Sequence, residues 1–334
     1  MPFKERLKTG LPRKYKKPAY KVTNWPEYNK SLKKRGQVSL YLPRYAIRLN
    51  FINEVPYISG VSGQQSTYKD SYVEIIYLFY VLFGWGMRQI TGYFEDYWQL
   101  KGLDIPVPSF GHLSDLFSVL PVKVKQRCDK LAKRVARGES IDLILDSTGF
   151  RFGKASHWYE TKYGKPCTNT PYRKLHFSMD RDMNMHGTEV TDYTASDIEM
   201  MDDLIPDTPD LIIDKVIADR EYYSVDGVEK LYNKGITPVI PPPDNAVIHN
   251  KPTTKWHDKI VQYIKDKGTV YAFYKKYDYA LRALIEAQIS RIKRCIEYTF
   301  RTQKLESQQR EGIIIANLLN IWNSFGRCES VKIG

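Results

Sequence analysis

The stretch Ile141-Asp142-Leu143-Ile144-Leu145-Asp146-Ser147-Thr148-Gly149-Phe150 limits the fold more than any other part of this chain. Bulky aliphatic side chains in a short run read as a buried strand. The run ends on Asp146 and then turns. A lone buried charge is costly, so a carboxylate at the end of a core strand needs a cation, a set of donors or water. Taken alone, Asp146 reads equally well as an aspartate opening a turn with Ser147 and Gly149. A second run of the same design, residues 211–219, closes on Asp219. There too the plain alternative is an aspartate that opens a turn.

Around these runs the periodicity changes. Residues 174–180 and 186–193 alternate, which predicts a hairpin. Ser196 or Asp197 is placed to cap a helix reaching Leu204. Residues 225–233, closed by Gly235, predict a helix. Residues 236–241, closed by three prolines, predict a strand. Helices are expected over 257–267, 278–300 and 313–325. Strand, hairpin, helix, strand, helix, strand, helix is an order that implies parallel strands with helices on their faces. The expectation is a mixed sheet covered on both sides. Upstream the pattern is helical, with helices expected over 25–34, 67–83, 87–100, 110–117 and 122–137. Gly84-Trp85-Gly86 breaks the second from the third, as in a helix-turn-helix or a plain αα-hairpin. Residues 1–20 read as a flexible leader, 37–42 as an extended piece and 151–171 as a polar, aromatic loop. Three regions result: a basic N-terminal arm over 1–60, a helical domain over 61–138 and an α/β domain over 139–334.

The net charge of +13 is concentrated at one end. Residues 1–50 carry fourteen Lys and Arg against two acids, twelve of the thirteen excess positive charges. Tyr15, Tyr20, Trp25, Tyr28, Tyr41 and Tyr45 are interleaved with them. That composition suits a phosphate backbone, and a solvated tail is its plainer reading. No clean amphipathic helix accompanies the charge, which weighs against a membrane surface. The chain has no apolar run of span length and no apolar leader after Met-Pro-Phe-Lys, so a cytoplasmic, nucleoid-associated protein is expected. Cys128, Cys167, Cys295 and Cys328 are far apart and spell neither a zinc site nor a disulfide framework.

The chemistry gathers at the acids. Ligands of open α/β sheets bind beyond strand ends. Two carboxylates delivered there repel each other unless a cation lies between them. Oxygen-only ligands point to Mg²⁺ or Mn²⁺. The expected helix over 278–300 adds a third acid. On a helical wheel Tyr279, Glu286 and Lys293, seven apart, fall within roughly 40° of one another, with Arg282 close by. Leu281, Leu284, Ile285 and Ile292 take a different face. Glu286 is the only acid between Tyr279 and Ile296. The plain alternative is an Arg282–Glu286 surface pair worth roughly 0.2–0.5 kcal/mol.

The spacing Tyr279-x2-Arg282-x3-Glu286-x6-Lys293 resembles the Y-R-E-K signature of the IS4/IS5 insertion-sequence transposases. On this chain's composition it would arise by chance on the order of once in 10⁵ windows. Asp146 in Leu-Asp-Ser-Thr-Gly and Asp219 in Ile-Ala-Asp resemble the first two acids of that family. Asn24-Trp25-Pro26-Glu27-Tyr28-Asn29, Met87-Arg88-Gln89, Pro106-Val107-Pro108, Tyr172-Arg173-Lys174-Leu175-His176 and Thr237-Pro238-Val239-Ile240-Pro241-Pro242 are similar to its IS5 branch. One departure is clear. Where the family carries Gly-Ala-Tyr-Asp after the second acid, this chain has Arg220-Glu221-Tyr222-Tyr223, which offers Glu221 as a decoy carboxylate.

The resemblance implies a DDE enzyme with an RNase H-like mixed five-stranded sheet and flanking helices, preceded by a helical DNA-binding domain. It implies Asp146, Asp219 and Glu286 as catalytic acids holding two Mg²⁺ (or Mn²⁺) ions. Tyr279, Arg282 and Lys293 become DNA-phosphate ligands. The implied partners are double-stranded DNA, as terminal inverted repeats and as target, and a second copy in a homodimer on DNA. A spacing of 67 positions from Asp219 to Glu286 leaves room for one strand and a loop but no large inserted domain. Two further readings stay open: a metal-dependent nuclease or resolvase of the same fold, and a transposase-derived DNA-binding regulator that has lost catalysis. His176, a lone strand histidine, reads as structural.

Overall fold

The computed structural model describes residues 19–55, 66–152, 172–206, 208 and 211–333. Residues 1–18 of the leader expected over 1–20, and most of the loop expected over 151–171, lie outside these residues. The chain divides into two compact units, residues 1–40 with 325–334 and residues 41–324.

In the first unit, β1 (Ala19–Val22) pairs antiparallel with residues 330–333, Tyr20 opposite Lys332. α1 (Trp25–Arg35) follows, with its proline in the first turn, where a missing N–H costs nothing. The Asn24 side chain ties the two ends of this unit: it donates to the Arg327 carbonyl at 2.9 Å and accepts from the Glu329 N–H at 2.8 Å. A 3-10 turn at Val38–Leu40 replaces the expected extended piece.

The second unit begins with helices: α2 (Ile47–Phe51), α3 (Asp70–Phe83), α4 (Met87–Leu100), α5 (Phe110–Val119) and α6 (Asp129–Ala136). Gly84 ends α3 in the left-handed conformation, φ 67°, which only glycine adopts cheaply. The core here is aromatic. Phe51 stacks on Tyr72 at 4.6 Å, and the buried Trp98 donates its indole N–H to the Tyr72 hydroxyl at 2.8 Å, satisfying both polar handles.

The helix expected over 122–137 forms only from Asp129. Residues before it are held by a later helix instead. The Asn317 side chain accepts from the Lys125 N–H at 2.7 Å and donates to the Lys123 carbonyl at 3.0 Å. Asn320 donates to the Lys125 carbonyl at 3.0 Å. Side-chain amides have supplied the partners that an i→i−4 ladder would have used.

The sheet follows: β2 (Ile141–Phe152), β3 (Tyr172–Asp180), β4 (Met185–Asp192), then α7 (Met201–Leu204), β5 (Ile213–Ile217), α8 (Val225–Asn233) and β6 (Thr237–Val239). Strand order is β4-β3-β2-β5-β6. β2, β3 and β4 are mutually antiparallel, while β5 and β6 run parallel to β2 and β5 respectively. This is the expected five-stranded mixed sheet. α9 (Lys255–Lys267) and α10 (Val270–Lys276) come next; α10 was not legible, and the interval between the second and third acids is fuller than a strand and a loop. α11 (Ala283–Cys295), β7 (Thr299–Phe300), α12 (Leu305–Phe325) and β8 (Ser330–Ile333) complete the chain. β7 adds a two-residue parallel pairing to β2 at Arg151 and Phe152.

α12 covers one face of the sheet. Its Gly312 permits the approach: a Cβ there would lie 3.1 Å from both Leu175 Cδ1 and Val190 Cγ2. Asn320, buried on the same helix, accepts from the Met185 N–H at 2.8 Å and donates to its carbonyl at 2.9 Å. Asn320→Leu strands buried backbone groups at roughly 1–3 kcal/mol each. The expected outcome is a loss of about 2–4 kcal/mol of stability, read as a lower urea-unfolding midpoint.

Candidate active site

Asp146 does not end its strand. β2 runs on to Phe152, and Asp146 pairs with Phe177 of β3. What ends is the other side of the ladder. β5 pairs with β2 only as far as Ile144↔Ile217, and β7 picks up at Arg151. Asp146 and Asp219 each lie two residues past that last pair. The expected position, beyond the end of a parallel pairing, is therefore met at the middle of a long strand.

Asp219 caps the 3-10 turn Arg220–Tyr222, its carboxylate accepting from the Glu221 N–H at 2.9 Å. Glu221 itself is exposed, and what it gives Asp219 is this backbone donor. The single helix expected over 278–300 is broken. Asp278 takes a left-handed φ of 60°, Tyr279–Arg282 form a 3-10 turn, and the α-helix starts at Ala283. The helical wheel drawn from Tyr279 thus holds only from α11 onward. Ile285, Gln288 and Ile292 are its buried face, which places Glu286 in the exposed first turn.

Arg282 brings the pieces together. Its Nη1 lies 3.0 Å from Asp146 Oδ2 and 4.0 Å from Asp219 Oδ2, and its Nη2 lies 2.6 Å from Glu286 Oε1. Three carboxylates from three separated segments meet one guanidinium. The Arg282–Glu286 pair, the plain alternative for this helix, is present, but as one arm of this larger set. The Asp146 side chain is 13% exposed and that of Glu286 59%, so the site is deep on the sheet side and open on the helix side.

Burial pushes the Asp146 carboxyl up to about 6, opposed by Arg282 and by the Ser147 N–H that donates to its Oδ1 at 3.0 Å. The negative charges of Asp219 and Glu286 push it further up. Burial alone would lower Arg282, but the acids around it outweigh that and raise it above its ordinary value. Tyr279, stacked on Tyr274 at 4.4 Å, is pushed up to about 12 by burial. Lys293 donates to Thr148 Oγ1 at 2.6 Å, and burial holds its ammonium below the usual lysine range. Thr148 is two residues from Asp146, hence on the same face of β2. All six expected site residues therefore belong to one corner of the sheet.

Behind Asp146, on the other face of β2, lies a polar cluster that went unread. Ser147 Oγ donates to Asp197 Oδ2 at 2.9 Å, and Lys174 Nζ donates to Asp197 Oδ1 at 3.0 Å. Asp197 was expected to cap a helix to Leu204, but only Met201–Leu204 is helical. His176 is buried here, 2.9 Å from Thr191 Oγ1 and 3.5 Å from the Tyr222 hydroxyl. Burial, with Lys174 adding to it against Asp197, lowers its imidazole to about 4, so it is neutral and structural at pH 7. The i, i+2 spacing of Lys174 and His176 was a legible sign that they share a face. Nothing local marked Asp197 as their partner.

Among the described residues no three His, Cys, Asp or Glu side chains are gathered closely enough to hold a metal ion. The three acids are gathered instead around the Arg282 guanidinium, Asp146 and Asp219 at Nη1 and Glu286 at Nη2. No described helix is long and apolar enough to cross a membrane.

A family model described as a transposase DDE domain matches residues 137–321. A second model of the same description matches residues 33–154. No solved structure matches the chain. The first match spans more than half of the sequence and contains all three acids together with Tyr279, Arg282 and Lys293; the chain belongs to the DDE transposases, which are polynucleotidyl transferases.

Proposed function

We propose that the chain is an IS5-type transposase of the IS4/IS5 group, which binds the terminal inverted repeats of its own element, cuts their ends and joins them to target DNA. The observation that carries this reading is the convergence of Asp146, Asp219 and Glu286 on one cation, Arg282. DDE transposases depend on divalent metal. The donor set here is all oxygen, which fits Mg²⁺ or Mn²⁺ rather than a softer ion. Asp146, buried and held with two other negative groups, is a carboxylate that gains most from a cation.

Asp146, Asp219 and Glu286 would hold two such ions, which when bound supply an activated water or 3′-hydroxyl and stabilise the leaving oxygen. The chain's own side chains do the rest. Arg282 neutralises the acids while no DNA is engaged. Once released from them, its planar fork is suited to bidentate contact with a phosphate. Lys293, anchored to Thr148 beside Asp146, adds a second positive charge at the same strand. Tyr279, braced by Tyr274, presents a ring and a hydroxyl that stays protonated at pH 7. The displacement is in line at phosphorus, so no side-chain nucleophile is required.

The basic arm over 1–60 supplies salt-sensitive affinity for the duplex, and the helical region over 61–138 binds the repeats. The DDE domain is assigned to 139–334, of which the last ten residues fold into the unit of residues 1–40. Two ends must be cut in concert, which calls for a homodimer on DNA.

A strand-transfer assay with labelled element ends tests the reading. The wild-type chain is expected to join ends to target, and Asp146→Asn to lose both cutting and joining while binding DNA normally. Cutting without joining in the wild type would make it a nuclease; binding alone would make it a regulator.

The raised Asp146 pKa sets a stability window. Its folded value of about 6 lies above the unfolded 3.8, so the folded chain binds the extra proton between them. Stability from this group is complete below pH 4 and lost as pH rises through 6. The advantage of Asp146→Asn over wild type in metal-free thermal melts is expected to grow from pH 4 to 6, by on the order of 3 kcal/mol, and then level off. In Arg282→Ala the acids lose their shared cation. Its melting temperature in EDTA at pH 8 is expected to fall by several degrees, and Mg²⁺ to raise it by more than it raises the wild type.

A further inference from the structure

α1 is poorly placed to hold its position by burial. A free helix of its length is marginal in water, and Ser31 is the only side chain of α1 that is buried. Residues 326–329 supply what burial does not. Asn24 stands at the N-cap of α1, yet its side chain makes no cap to the helix. It accepts instead from the Glu329 N–H at 2.8 Å and donates to the Arg327 carbonyl at 2.9 Å. The Thr23 N–H donates to the Glu329 carbonyl at 2.9 Å, which continues the β1–β8 pairing up to the helix. Gly326 lies over the buried Ser31. A Cβ there would stand 3.2 Å from Ser31 Cβ, and its φ of 126° is one that side chains rarely adopt.

What this scaffold holds out is positive. Lys30, Lys33 and Lys34, at i, i+3 and i+4, share one face of α1, and all three are exposed. Among the described residues none of the three has an ion-pair partner. Over the described residues of this unit, seven Lys and Arg stand against two acids, Glu27 and Glu329. Lys30 to Lys34 covers about 6 Å of helix axis, over which one DNA strand presents about two phosphates.

We propose that residues 326–333 are half of a duplex-DNA-binding module: they fix α1 so that Lys30, Lys33 and Lys34 engage the phosphate backbone. This module rests on the reading of the basic arm as a DNA contact, and it draws a segment distant in sequence into that contact. Lysines meet phosphates as point charges and carry no base preference. Duplex of any sequence is therefore a sufficient ligand.

The test uses the full chain and a fluorescently labelled mixed-sequence duplex, with affinity read by anisotropy over a salt series. Replacing Lys30, Lys33 and Lys34 together by Gln keeps a good helix former at each position. The slope of log affinity against log salt is expected to shrink by about 2 in this variant. Gly326→Ala and Asn24→Ala change no charge. Each is expected to weaken duplex binding about tenfold at physiological salt, and to add little to the triple variant, since all act through one helix. Amide hydrogen exchange over residues 24–35 is expected to quicken in both, while the β2 amides exchange as in the wild type. Unchanged duplex binding in both charge-neutral variants overturns the role of residues 326–333. An unchanged salt slope in the triple variant overturns α1 as the phosphate-facing element. A wild-type chain that binds no duplex at all is a separate result, and it fails the DNA-contact reading itself.

Discussion

Three negative side chains cannot share one corner of a protein without a positive charge among them, and in this chain that charge is Arg282. Two like charges about 4 Å apart at an effective dielectric of 20 repel by roughly 4 kcal/mol. That is a large share of the margin by which a domain is stable. The arginine is the last residue of the 3-10 turn that leads into α11, and a left-handed Asp278 precedes that turn, so the backbone is bent to bring it there. Had the helix run straight from 278 to 300, as its apolar spacing indicated, the fork would not be fixed by a turn that faces β2 and β5. The break costs a few helical hydrogen bonds and gains the contact that gathers the site.

A site of this sort needs both stiffness and a place that can open. The stiffness comes from β2, which is paired along its length with β3 and whose residues 143–145 are buried. The opening lies on the other side of the same strand, where β5 has ended and β7 has not begun. A backbone edge without a partner strand would ordinarily demand covering. Here the 3-10 turn and α11 come against it with Arg282, Glu286 and Lys293. These side chains thus occupy the gap that the sheet topology leaves.

Much of this was legible before any coordinates. The two apolar runs ending on aspartates named the central strands, because aliphatic runs of that length have few other homes. The Tyr279, Arg282, Glu286 and Lys293 spacing named the third element. What was illegible has a common physical cause: it depends on partners distant in sequence. Residues 122–128 have a helical pattern, but Asn317 and Asn320, nearly two hundred positions later, take their backbone groups. Asp197 looks like a helix cap until Ser147 and Lys174 are seen to claim it. β8 could not be found at all, since its pairing partner is β1 at the opposite end of the chain. Local propensity is informative where burial agrees with it and silent where a remote side chain overrides it.

The departure at position 220 makes sense on the same terms. An arginine next to the second acid is a second guanidinium within reach of the carboxylates, and it could compete with Arg282 for them. It is occupied elsewhere: Arg220 donates through both terminal nitrogens to Asp244, at 2.9 and 2.7 Å. Asp244 closes the proline run that follows β6, so the pair ties that loop to the turn carrying Asp219. Asp244 is exposed, and an exposed ion pair contributes little to stability. Its effect is one of direction. With Arg220 paired to the loop, the acids meet Arg282, which comes from a separate segment of the chain. A glycine at 220 would need no such restraint; an arginine there is compatible with the site because the loop supplies one.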